Sequence, residues 1–285
     1  MRTMPQPATS SVTVETDLVP LHVESTGVGD AILCWPSLFC DGRTMRPLVD
    51  ALARDHRVLV VDGPGHGRSG SPRRAFSLED CADAALRVLD AAGIDRAVFV
   101  GSAWGGHVGV VAALRAPERV RALVVMNAPM AAWSSAVRLK LWSLLQMFRL
   151  FGPRDFMVRA VTHAQLSPAV ISAFPERAET IADCMRTSER HGFIVAIRSA
   201  MLGRPSLVAR LPDVRVPTLF LTGSLDSMFS VEEARNQAAA IPGSRFEEIE
   251  DTAHQSAYES PERVNALLRE FLQSLPALSA TPMMK

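Results

Sequence analysis

Val98-Phe99-Val100-Gly101-Ser102-Ala103-Trp104-Gly105-Gly106-His107 is an apolar run that breaks at glycine and restarts as a helix. Gly101 and Gly105 stand two residues before and two after position 103, the spacing that lets a strand turn so tightly into a helix that one side chain projects alone over the sheet. Such a turn is a nucleophile elbow, and its apex residue is held in a strained backbone conformation. The apex here is Ala103. A frame built to present a hydroxyl or thiol carries a methyl group.

Outward from the elbow, continuous apolar strands alternate with helices. Ala31 to Trp35 and Arg57 to Asp62 read as strands buried on both faces, with a helix over Met45 to Arg54 between them. A helix over Leu78 to Ala92 has Ser77 as its N-cap, Glu79 and Asp80 in its first turn and Gly93 as its stop. After the elbow helix, Gly105 to about Arg115, the strand Ala122 to Asn127 completes a β-α-β-α-β series. Val12 to Glu15 and Pro20 to Glu24 alternate as edge strands. Residues 1 to about 10 are Pro, Thr, Ser and Gln rich and are expected to be disordered, and the last ten are expected to form a tail.

From about Ala131 to Val208 the strand signal is absent, and helices such as Ala136 to Phe151 and Pro175 to Arg190 take its place. The sheet resumes at Val216 to Gly223, followed by a helix over Val231 to Ala240, a strand over Phe246 to Ile249 and a helix over Pro261 to Ser274. The chain therefore divides into a first core segment, 1–130, a helical lid, 131–208, and a second core segment, 209–285. Within the lid, Leu144, Met147, Phe148, Phe151, Phe156 and Met157 suit an apolar substrate pocket, and they equally suit a helix-helix core. Leu144, Met147 and Phe148, with Phe39 from the loop Pro36 to Gly42, are the candidate substrate contacts.

Composition narrows the partners. Among 285 residues, Lys plus Arg and Asp plus Glu number 30 each, so no net field recruits nucleic acid or an anionic membrane. No apolar run approaches the roughly 20 residues that cross a bilayer, and the N-terminus lacks the apolar segment of a secretory signal. Cys34, Cys40, Cys81 and Cys184 show no metal or redox spacing, which fits reduced thiols in a cytoplasmic protein. Gly65, Gly67 and Gly70 formally match G-x-G-x-x-G, but Ser71-Pro72-Arg73-Arg74 separates the last glycine from the next helix. A phosphate-binding turn needs that glycine to open the helix, so the run reads as a tight structural turn.

Acyl transfer by a hydroxyl needs a base to take its proton, an acid to orient that base and donors for the developing oxyanion. Asp226 follows a buried strand in Gly223-Ser224-Leu225-Asp226, and His254 follows another in Asp251-Thr252-Ala253-His254. Both loops leave the C-terminal edge of the sheet, where open α/β sheets keep their sites. Ala103, Asp226 and His254 thus occupy the positions of nucleophile, acid and histidine in chain order.

Together with the turn Asp62-Gly63-Pro64-Gly65-His66-Gly67-Arg68-Ser69 and with Glu259 to Val264 after the histidine, these motifs resemble the α/β-hydrolase superfamily, in its lid-bearing branch of esterases, lactonases and carbon-carbon bond hydrolases. The resemblance spans about residues 12 to 275. It implies an α/β fold with a mostly parallel eight-stranded sheet, helices on both faces and an inserted helical lid. It also implies a small-molecule acyl substrate, largely apolar, and no cofactor or metal. Self-association as a homodimer stays open. The loop Pro36 to Asp41 is similar to the oxyanion loop of enol-lactone hydrolases, which assigns the oxyanion hole to the backbone N–H groups of Leu38 and Trp104.

The departure from the pattern is Ala103. One explanation is a serine-to-alanine variant of an ordinary hydrolase, which binds but does not turn over. Another is a natural non-hydrolytic protein of this fold, either a ligand-binding pseudoenzyme or an enzyme using His254 and Asp226 as a general base. Substitution by a neighbour fails on geometry, since Ser102 precedes the apex and Cys40 lies in the oxyanion loop. Ala253 replaces the glycine usual before the histidine. His66 reads as a turn residue and His107 as part of the elbow helix, while His22, His56, His163 and His191 are scattered singly.

Overall fold

The computed structural model describes residues 7–276. Eight strands form one sheet in the order β1-β2-β4-β3-β5-β6-β7-β8. They are β1 Thr9–Val14, β2 Leu21–Thr26, β3 Asp30–Trp35, β4 His56–Val61, β5 Ala97–Ser102, β6 Val120–Met126, β7 Thr218–Gly223 and β8 Arg245–Ile249. Both pairings of β2 are antiparallel and all others are parallel. The elbow strand β5 lies between β3 and β6, in the middle of the sheet.

Side-chain alternation along the strands sorts the core into two layers. Ile32, Val58, Val98, Val124 and Leu219 pack against α1 (Arg46–Leu52) and α11 (Pro261–Ser274). Leu33, Leu59, Phe99, Leu123 and Phe220 belong to the opposite layer, with α2 (Leu78–Ala91), α3 (Trp104–Arg115) and α9 (Val231–Ala239). The N-cap of α2 is a capping box: Asp80 N–H donates to Ser77 Oγ at 3.0 Å and Ser77 N–H to Asp80 Oδ2 at 2.8 Å.

Between β6 and β7 come α4 (Ser135–Phe151), α5 (Asp155–Gln165), α6 (Pro168–Ala173), α7 (Pro175–Thr187) and α8 (Arg190–Ile197), the last continuing as a π turn over Arg198–Leu202. The single helix expected over Pro175 to Arg190 is in fact broken at Ser188, whose ψ of 141° is extended. Glu189 then caps α8, accepting from the N–H groups of His191 and Gly192, so a fresh helix start is more favourable than continuation. Beyond α9 and β8, the short α10 (Ser256–Glu259) leads into α11.

The N-terminal expectation is also corrected. Thr9 and Ser10 belong to β1 because β1 finds a partner along its whole length, Thr9 opposite Thr26 to Val14 opposite Leu21. Residues 1–6 lie outside the described residues, as does the expected tail apart from Pro276. No helix among the described residues is long and apolar enough to cross a membrane.

Candidate active site

The elbow is enforced by backbone contacts. A β-carbon on Gly101 would lie 2.1 Å from the Gly105 carbonyl oxygen, and one on Gly105 would lie 2.0 Å from that of Trp35. Only glycine lets β5, α3 and β3 approach so closely. Ala103 is consequently held at φ 47°, ψ −104°, with its N–H donating to Met126 O at 2.7 Å. A non-glycine residue in such a conformation costs about 1–3 kcal/mol, and the surrounding sheet imposes it.

Two further strained residues flank the apex: Phe39 at φ 69° and Asn127 at φ 51°. Phe39 N–H donates to Nε2 of His66 at 3.2 Å, and Nδ1–H of His66 donates to Pro64 O at 3.0 Å. His66 is therefore the peg of the Pro36 to Gly42 loop. Burial pushes its pKa down to about 4, against the opposing effect of the Pro64 hydrogen bond, so it stays neutral. Leu38 N–H is left over by this arrangement, since the loop's own hydrogen bonds use Phe39 and Cys40. Trp104 N–H opens α3 and has no acceptor within its helix.

On the other side, Nδ1–H of His254 donates to Asp226 Oδ2 at 2.9 Å, and the Asp226 side chain is wholly buried. Burial would raise the Asp226 carboxyl, but the His254 ring, the Asn127 amide at 3.0 Å and Met228 N–H at 3.0 Å outweigh it and hold it below the usual carboxylate range. Asn127 also donates to Ala253 O and accepts from Ser256 Oγ, tying the acid to the histidine loop. With Nδ1 committed, Nε2 is the ring nitrogen of His254 left for proton transfer.

Ala103, His254, Leu38 and Trp104 all line one cavity of about 200 Å³, small beside the roughly 300–1,000 Å³ usual for small-molecule sites. Phe39 and Leu144 line it too, with Leu141, Val161, Ala164, Ala200 and Met201. Met147 and Phe148 do not. Phe148 is buried in the helix-helix core with its ring 6.1 Å from that of Phe193, and Met147 packs half-buried against the same core. Phe151 and Phe156 are exposed, and Met157 is buried away from the cavity. Cys40 is enclosed beside Gln255, and burial raises its thiol well above the ordinary value, which removes it as a nucleophile.

Among the lining residues that sequence context did not single out for the site are His107, Trp133 and Arg204. His107 Nε2–H donates to Pro129 O at 2.7 Å, which pins the ring and leaves Nδ1 unprotonated. Arg204 follows the π turn, is 7 % exposed, and lies with its guanidinium 5.2 Å from the centroid of Trp133. It has no carboxylate partner among the described residues, and burial pushes its pKa down to about 10. Its Nη1 and Nη2, Nε1 of Trp104 and Trp133, and Nδ1 of His107 are all buried without a hydrogen-bond partner among the described residues. A lone arginine between Gly203 and Pro205 carries no sequence signal that distinguishes it from a surface residue, and the cavity gives it one.

Residues 31–261 match a family model described as alpha/beta hydrolase fold. The chain is 31 % identical over 260 residues to a protein from Azorhizobium caulinodans named as a putative carbamate hydrolase, RutD, covering 88 % of this chain and 94 % of that one. An esterase from Thermogutta terrifontis, solved with malate bound, superimposes with a TM-score of 0.87 at 25 % identity, over 93 % of this chain and 99 % of that one. The enol-lactonase of Burkholderia xenovorans LB400 superimposes with a TM-score of 0.85, also at 25 % identity, over 93 % of this chain and all of that one. Sheet order, elbow and relatives converge: the chain belongs to the α/β-hydrolase fold family of hydrolases.

Proposed function

We propose that this cavity is an acyl-transfer site for a small, largely apolar ester, lactone or related acyl compound, and that the chain with Ala103 binds such a compound without turning it over. The observation that carries the reading is the shared cavity of Ala103, His254 with its Asp226 partner, and the two loop and helix N–H groups of Leu38 and Trp104. Each part of an acyl-transfer apparatus is represented except the attacking atom. The relatives named for carbamate and enol-lactone hydrolysis support an acyl carbon as the reacting centre.

In this reading a hydroxyl at position 103 attacks the acyl carbon and passes its proton to Nε2 of His254. Asp226 holds the imidazole in its tautomer and stabilises the imidazolium. The amides of Leu38 and Trp104 receive the negative charge on the carbonyl oxygen. His254 returns the proton to the leaving group, then activates the water that releases the acid. Helices α4 and α5 and the π turn after α8 act as the lid, since they supply the cavity-lining Leu141, Leu144, Val161, Ala164, Ala200 and Met201. The second reading, a general base acting on water or on a C–H or O–H acid, is favoured by the intact His254-Asp226 pair beside a methyl group.

A fluorophosphonate probe separates the two. The Ala103→Ser variant should acquire a covalent phosphonyl label at that position, the parent chain should not, and Ala103→Ser combined with His254→Ala should lose it. A folded Ala103→Ser variant that resists labelling would leave the general-base reading standing.

A further inference from the structure

Among the described residues Arg204 is a cation with no counter-ion in the cavity lining. Asp226, a carboxylate of the site, is already shared among His254, Asn127 and Met228. His107 is neutral and cannot add a second positive charge, because burial and the neighbouring Arg204 both disfavour its protonation. The guanidinium lies over the Trp133 ring, and its Nη1 and Nη2 find no acceptor among the described residues. The Nε1–H of Trp133 is also unpartnered, so at least three donor N–H groups at this wall lack an acceptor. A buried guanidinium with free in-plane donors is shaped for a planar two-oxygen anion.

We propose that Arg204, assisted by Trp133 Nε1–H, anchors a carboxylate of the substrate, so that the site takes acyl compounds bearing one anionic carboxylate in addition to the reacting carbonyl. This assignment rests on the acyl-transfer reading for the place of the carbonyl, between His254 and the amides of Leu38 and Trp104. The carboxylate end then lies toward α8 and the π turn, and the apolar wall of Leu141, Leu144 and Val161 holds what joins the two ends. Nδ1 of His107, an acceptor without a donor, suits a hydroxyl or N–H on the same ligand. The single positive charge fits one anionic group at this wall and not two.

The test is equilibrium binding to the unmodified chain, followed by tryptophan fluorescence, with phenylacetate, phenylpropionate and phenylbutyrate, each against its primary amide. At least one acid should bind about tenfold or more tighter than its amide, and Arg204→Met should abolish that preference, bringing acid and amide affinities together, as expected when one partner of a buried charge pair is removed. Arg204→Lys should keep part of it, because the charge remains and the bidentate fork does not. Acids that bind no tighter than their amides, or fail to bind at all, would overturn the proposal, as would a preference that survives in Arg204→Met. The comparison on the unmodified chain needs no variant, so a misfolded Arg204→Met does not rescue the idea. Turnover of aryl esters by Ala103→Ser without any acid preference would leave the acyl-transfer reading intact and remove this one, and acid preference without turnover would do the reverse.

Discussion

Acidification should destabilise the fold in part through His66, the peg of the Pro36 to Gly42 loop. In the folded chain the ring is neutral, with Nε2 accepting from Phe39 N–H and Nδ1–H donating to Pro64 O. Burial lowers its pKa from 6.5 to about 4. Between those two values the unfolded chain binds a proton that the folded chain refuses, so stability rises with pH across this window and falls as pH drops through it. From pH 7 to pH 4 the loss from this one group amounts to about 3 kcal/mol, out of a total stability of order 5–15 kcal/mol. Once Nε2 is protonated it can no longer accept from Phe39, whose positive φ then lacks the hydrogen bond that holds it. Urea unfolding monitored at a series of pH values measures the effect, and His66→Gln isolates it from the carboxylates and from His107. The parent should lose about 3 kcal/mol more than His66→Gln over this range. Parallel pH profiles for the two proteins would refute the assignment.

Two other substitutions probe the scaffold of the site. Gly105→Ala places a β-carbon 2.0 Å from Trp35 O, so β3 and α3 must separate; we expect a loss of at least about 3 kcal/mol, read as a fall in Tm of roughly 6 °C or more, and a smaller shift would mean that the elbow is softer than its contacts indicate. Asn127→Ala removes hydrogen bonds to Asp226, Ala253 and Ser256 at a buried position while keeping a β-carbon at φ 51°. It should cost about 3 kcal/mol or more in chemical denaturation, and a cost below about 1 kcal/mol would contradict a network role for this residue.

What the sequence revealed follows from which interactions are local. The strands β3 to β7 are continuous apolar runs between glycines and polar turns, and the elbow is written in the spacing of Gly101 and Gly105 around Ala103, so both could be read directly. Asp226 and His254 were legible for a similar reason, one following the buried β7 and the other following the edge strand β8 at the sheet's C-terminal edge. The cavity wall was not. Leu144 and Phe148 stand four residues apart on one face of α4, and pattern alone cannot say that Leu144 reaches the cavity while Phe148 packs on Phe193. Ser188 offered no proline or glycine to announce the break before α8; the cause is the cap that Glu189 supplies. Arg204 and Asn127 matter through contacts with residues distant in the chain, Trp133 for one and Asp226, Ala253 and Ser256 for the other, and those neighbours are set by the tertiary fold.

On the acyl-transfer reading proposed above, one missing oxygen separates this site from a working enzyme. Steady-state hydrolysis of small aryl esters and lactones by the parent chain, by Ala103→Ser and by Ala103→Ser with His254→Ala tests it most directly. kcat/KM should rise by about 10³-fold or more in the single variant, the scale on which nucleophile and histidine act as a unit, and the gain should vanish in the double variant. A folded Ala103→Ser protein no faster than its parent, or one whose gain survives the loss of His254, would contradict it.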